Sequence, residues 1–175
     1  MAFASPKTMS RFRFALGAAA VLSASLIAQQ PASAQIGDTV AWTLAASPAA
    51  EVKPGAKVTL ALKGVVKDGW HIYGLNQLPA GPTPLRVAVE ATPVAAAAGA
   101  VVASKPTKQH DPSFNLETQY YSRDLTVTAP VKISAKAPAG AQQIPLSVRY
   151  QTCDGRFCQP PKTVRLNATV NVKAG

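Results

Sequence analysis

The chain holds two cysteines, Cys153 and Cys158, and only residues 154–157 lie between them. The surrounding segment reads Tyr150-Gln151-Thr152-Cys153-Asp154-Gly155-Arg156-Phe157-Cys158-Gln159-Pro160-Pro161. Thiols this close can bond to each other locally. A bridge closing so small a loop constrains the unfolded chain by only about 2 kcal/mol, roughly half of what a domain-spanning bridge contributes. Stability alone is therefore a weak reason for the pair. Reversible exchange is the chemical use, and it needs a thiolate, an accessible sulfur and room for an incoming sulfur in line. Arg156, Lys162 and Arg165, near in sequence, favour a thiolate, and Asp154 opposes one. Two other uses stay open at this point. One is an inert local brace, the usual role of cysteine pairs in secreted domains. The other is a metal pair completed by His71 or His110, with copper(I) as an ion that accepts two thiolates. The local motif shows no third ligand, so neither a metal nor another cofactor is expected.

The start of the chain decides whether these thiols can oxidise. Lys7, Arg11 and Arg13 form a basic segment, Phe14 to Ala28 is apolar, and Ala32-Ser33-Ala34 fits the small-x-small cleavage rule. Residues 1–34 are read as a secretory signal peptide cleaved after Ala34, which places residues 35–175 as one domain outside the cytoplasm. Removing the signal takes the 18 basic residues to 15 against 8 acidic ones, a net charge of +7. The remaining basic residues are scattered and do not interleave with aromatics, which argues against nucleic acid as a partner.

The elements that must hold the pair are strands. Val58, Leu60 and Leu62 alternate with polar neighbours, as do Leu85, Val87 and Val89. Ile144, Leu146, Val148 and Tyr150 form one longer alternation, and Val164, Leu166, Ala168, Val170 and Val172 another. Each pattern gives a strand with one buried and one wet face. Further strands are expected near 39–46, 70–74, 99–104, 120–128 and 131–136. Pro54-Gly55, Pro79-Ala80-Gly81-Pro82 and Pro138-Ala139-Gly140 punctuate the gaps. Short strands, regular turn signals and almost no helical period predict an all-β, immunoglobulin-like antiparallel β-sandwich. The cysteines then sit at the tip of the hairpin formed by its two best strands, with Asp154-Gly155 as the turn. Residues 105–119, polar and Pro-containing, read as a long loop, and such loops in compact domains are often functional.

These residues resemble a known family. Tyr150-Gln151-x-Cys153 with Phe157-Cys158-x-Pro160-Pro161 is similar to the active-site segment of the N-terminal periplasmic domain of DsbD, a transmembrane thiol:disulfide reductase. Asp68-Gly69-Trp70-His71-Ile72-Tyr73 and Tyr121-x-x-Asp124-Leu125-Thr126 resemble two other segments of that domain, in the right order. The resemblance implies that Cys153 and Cys158 relay reducing equivalents. They would come from a thioredoxin-like electron donor and pass to exported disulfide-bearing proteins, as in cytochrome c biogenesis. It implies that Cys158 forms the mixed disulfide and that Cys153 resolves it. It also implies a cap loop whose aromatic matches Phe114, with Tyr73 and Phe157 lining the site.

The chain departs from the family in three ways. The cysteine spacing is one residue shorter than in the best-known members. Pro112 and Ser113 stand where the family has acidic residues, with Asp111 displaced by one step, so acid-assisted proton handling does not carry over. The chain ends at Gly175, after the β-domain. A relay would then draw its membrane electron carrier and its thioredoxin-like donor from other chains. The expected function is protein-disulfide reductase-type exchange in the periplasm. The competing expectation is a non-catalytic envelope module that binds copper or protein, with the disulfide as a brace.

Overall fold

The computed structural model describes Met1 and residues 39–174. The expected signal peptide lies outside the described residues. Among them no helix is long and apolar enough to cross a membrane.

The alternating segments become antiparallel strands that form two facing sheets. The first contains β1 (Val40–Ser47), β2 (Lys57–Val66) and β9 (Asp124–Ile133), with the short strands β5 (Ala95–Ala97) and β6 (Val102–Ala103) along the far edge of β9. The second orders β12 (Lys162–Val172), β10 (Gly140–Tyr150) and β4 (Arg86–Val89). Their inner faces bury Trp42, Leu60, Leu62, Leu125 and Val127 against Ile144, Leu146, Val148 and Leu166. Trp42 meets Tyr150 edge-on at 5.3 Å between ring centroids, tying one sheet to the other. Gly64 stands opposite Trp42 in the β1–β2 register, and a Cβ there would come within 2.7 Å of the indole and of Leu125. Only glycine leaves room for that tryptophan. The expected all-β, immunoglobulin-like sandwich is what forms.

A third, smaller sheet closes one end. It orders β11 (Thr152–Cys153), β3 (His71–Tyr73), β8 (Leu116–Tyr121) and β7 (Thr107–Asp111). β2 ends, β9 begins, β10 ends and β12 begins at this same end, so the small sheet crowns the sandwich.

Two expectations about elements need correction. Residues 105–119 are not a long loop: β7 and β8 form a hairpin in full register from Thr107↔Tyr120 to Asp111↔Leu116. Four of the five β7 residues are exposed, so no apolar face marked it as a strand. The strands expected at 120–128 and 131–136 are one continuous β9, while Tyr121 ends β8 and a turn at Ser122-Arg123 intervenes. Pro130 read as a break because proline donates nothing to a ladder. Its carbonyl accepts from Ala98, just past the end of β5, so its nitrogen, on the same side, faces the gap between β5 and β6.

Candidate functional site

Cys153 and Cys158 form a disulfide, with sulfurs 2.00 Å apart. The chain leaves β10 at Tyr150 and enters the small sheet, where Thr152 pairs with Ile72 and Cys153 with His71. Cys153 and Cys158 then face each other across an isolated antiparallel bridge. The expected position at the tip of the β10–β12 hairpin is correct, but the first cysteine is also stitched into β3. The turn between them is built by Asp154. Its Oδ1 accepts the backbone N–H groups of Arg156 (2.9 Å) and Phe157 (2.8 Å). Those bonds to the anion hold the exposed Asp154 carboxyl below its ordinary range. Gly155 takes φ +89°, the left-handed conformation such a turn needs. Behind the turn, Gln159 N–H donates to Thr152 O at 2.9 Å, and the Thr152 hydroxyl lies 2.9 Å from that of Thr39.

The two cysteines are not equally exposed. Cys153 is 1% exposed, whereas Cys158 is partly exposed.

The buried side is furnished by β3. Alternation puts His71 and Tyr73 on the face that carries Cys153. The Tyr73 hydroxyl lies 2.7 Å from Asp111 Oδ2 and 3.3 Å from Cys153 Sγ. It carries one hydrogen, so it donates to one of them at a time. A bonded disulfide sulfur is a weak acceptor, and the carboxylate takes the hydrogen. Burial raises the Tyr73 pKa, and the hydrogen bond to Asp111 and its charge add to the shift. The phenol thus stays a donor.

Asp111 also builds the cap. Its Oδ1 accepts the N–H of Ser113 at 2.8 Å, and its carbonyl accepts that of Phe114 at 3.3 Å. Asn115 completes the β7–β8 turn at φ +52°, a left-handed position asparagine tolerates. This turn sets the half-buried Phe114 ring edge-on against Tyr73, 5.9 Å between centroids. One carboxylate thus holds the cap tip with one oxygen and the sulfur's hydrogen-bond donor with the other. His71 packs between Tyr73 (5.1 Å) and Tyr120 (5.3 Å). Burial lowers its pKa, and the charges of Asp111 and Asp154 partly oppose that. A cleft of about 490 Å³ runs beside the pair, between the cap hairpin, residues 68–71 and Asp154-Gly155.

The structure therefore brings Cys153, Cys158, Tyr73 and Phe114 together. Phe157, expected to line the site, points outward beside Cys158 and is 58% exposed. Sequence reasoning noted Asp111 only as an acid displaced from the family position, and weighed His71 only as a metal ligand. The i, i+2 spacing of His71 and Tyr73 was the available signal. Among the described residues no group of three His, Cys, Asp or Glu side chains is arranged to hold a metal ion.

Fold and site together define a β-sandwich that presents a short-loop disulfide beside Tyr73, against which Phe114 packs. Residues 41–169 match the model of the N-terminal region of the thiol:disulfide interchange protein DsbD, and the chain belongs to that family. The family and the Cys153–Cys158 disulfide fit thiol–disulfide exchange in general. No curated protein matches the chain in sequence. Among solved structures it is similar to the reduced N-terminal domain of Neisseria meningitidis DsbD, with 20% identity over 70% of this chain and 82% of that one and a TM-score of 0.45. It is also similar to the N-terminal periplasmic domain of Proteus mirabilis ScsB, with 16% identity over 73% of this chain and 44% of that one and a TM-score of 0.46.

Proposed function

We propose that this domain relays reducing equivalents in the periplasm, from a thioredoxin-like donor to disulfide-bearing exported proteins. The observation that carries the reading is the asymmetry of the pair: Cys158 partly exposed, Cys153 buried beneath Tyr73.

In the loading step a donor thiolate attacks Cys158 Sγ in line. The Cys153–Cys158 bond breaks and a donor–Cys158 disulfide forms. Cys153 leaves as a thiolate, now an anionic acceptor 3.3 Å from the Tyr73 hydroxyl that a disulfide sulfur could not hold. The donor's second thiol then attacks its own mixed-disulfide sulfur and frees Cys158. The donor is left oxidised and the domain holds two thiols, two electrons and two protons richer. In the unloading step the Cys158 thiolate attacks a partner disulfide. Cys153 then attacks Cys158, expels the partner's thiol and closes the loop again. Phe114 packed on Tyr73 restricts the approach to Cys153, so a partner must meet the domain at Cys158.

The test is Cys153→Ser, which removes the resolving thiol and leaves Cys158 to attack. In an envelope extract from cells that carry the natural partners, this variant accumulates reducible mixed disulfides through Cys158, and Cys158→Ser accumulates none. An intact pair with a potential below about −300 mV, the range of structural bridges, and no trapped adduct would sink the reading.

A further inference from the structure

The outer face of the second sheet carries a pairing that folding alone does not favour. Arg86 on β4 and Arg149 on β10 are direct cross-strand partners, and both are exposed. Like charges placed opposite each other on a sheet face cost stability. Arg165, one row further along, stands opposite Ser147 and is neutralised by Glu90 at 3.2 Å. The Arg86–Arg149 row has no such relief: neither arginine has an acidic partner among the described residues, and Arg86 is steadied only by donating to the Leu75 carbonyl at 3.0 Å. The flanking positions, Ala88, Ser147 and Thr163, are small.

We infer that this arginine pair is the docking element for an acidic protein surface, that of the exchange partner itself; the inference rests on the proposed relay. Guanidinium groups bind carboxylates in a two-pronged geometry that ammonium groups do not offer, and two side by side fit a carboxylate-rich face. Their position supplies the second argument. Arg149 lies four residues before Cys153, at most about 13 Å along an extended chain. A standard interface covers about 800 Å² on each partner, a disc of roughly 16 Å radius. A partner that engages Cys158 can therefore reach the arginine row.

The molecule holds its own control. Lys57 and Lys132 are also a like-charged, exposed cross-strand pair, on the first sheet. Lys57 starts β2, whose far end feeds the site, so the lysine pair lies about 30 Å from the crowned end. Arg86→Glu/Arg149→Glu and Lys57→Glu/Lys132→Glu change the net charge equally. Only the first changes the docking row.

The experiment measures reduction of the Cys153–Cys158 disulfide by reduced thioredoxin of net negative charge, divided by the rate with uncharged dithiothreitol. At about 10 mM salt, where screening is weakest, R86E/R149E lowers this ratio at least tenfold, as lost electrostatic complementarity does. K57E/K132E lowers it less than about threefold, and R86Q/R149Q falls between. All three converge near about 1 M salt, where charges are screened within roughly 3 Å. Equal losses from the arginine and lysine pairs would reduce the effect to net charge and overturn the inference. So would a loss indifferent to salt. Loss of cosedimentation with phosphatidylglycerol vesicles in R86E/R149E, with the thioredoxin ratio intact, would assign the row to a lipid surface instead. Absence of wild-type reaction with thioredoxin, beside a normal rate with dithiothreitol, would instead overturn the relay and this inference with it.

Discussion

Along β10 every second side chain, Ile144, Leu146, Val148 and Tyr150, is sealed from solvent and apolar in body. Two residues beyond, in β11, the sealed pair is Thr152 and Cys153. The sandwich and the sheet that crowns it are thus built differently. The sandwich is held by apolar area, which is non-directional and tolerates small displacements. The crown buries Thr39, Asp111, Thr118 and Thr152, together with the Tyr73 hydroxyl. It is held by directed bonds: Tyr73 to Asp111, Thr39 with Thr152, and Gln77 with the Gln119 backbone. A buried polar group costs stability unless it is satisfied, so the crown contributes less to folding and fixes its groups more tightly in space. Substitutions in the two regions should separate stability from chemistry.

The largest effect belongs to the sandwich. Leu146→Ala empties a fully buried site between the sheets and should cost about 2–5 kcal/mol. Denaturant titration measures the loss. The exchange rate of the molecules that remain folded should match wild type. A change in that rate larger than the change in stability would mean that the two regions are not separable.

Tyr73→Phe should invert this pattern. It leaves Asp111 Oδ2 without its donor, while Ser113 N–H still serves Oδ1, so stability should fall by about 1–3 kcal/mol. The departing Cys153 sulfur loses the Tyr73 hydroxyl, its side-chain donor among the described residues, and reduction by dithiothreitol should slow about tenfold, the equivalent of roughly 1.4 kcal/mol in the barrier. The comparison sharpens if the rate loss outweighs that of Leu146→Ala while the stability loss is smaller. An unchanged rate would reduce Tyr73 to a packing residue beneath Phe114.

The same contrast explains what could be read from the sequence. In β2, β10 and β12 one face is apolar, and the period-two pattern predicted the strands and the sandwich directly. The crown has no such face. Thr107, Lys108, Gln109 and His110 are all exposed, so the strand they form depends on its partner β8 and not on any pattern of its own. The cysteine pair was legible because only sulfur does its chemistry, and Tyr73 and Phe114 came through family resemblance. Asp111 was not. Its role rests on a contact with Tyr73, 38 positions away, and on a turn that no local propensity announced.

The smallest effect concerns His71, and it appears as a slope in pH. Burial between Tyr73 and Tyr120 disfavours the imidazolium, so the folded pKa lies below the ordinary value near 6.5. Asp111 and Asp154 pull the other way without cancelling the burial. Near and below that ordinary value the unfolded chain binds more protons than the folded one. Stability therefore rises with pH through this window and levels off above about 6.5. Asp154 acts in a separate window, because its stabilised carboxylate is lost only as pH falls below the carboxylate range. His71→Gln keeps a polar group of similar reach and removes the titration. Its melting temperature should vary less with pH between about 5 and 7 than that of wild type, with the two curves running parallel above that range. A variant curve parallel to wild type across the whole range would mean that His71 titrates alike in both states. The crown would then be open enough to hydrate its imidazole, and the contrast with the dry sandwich would weaken at the residue paired with Cys153.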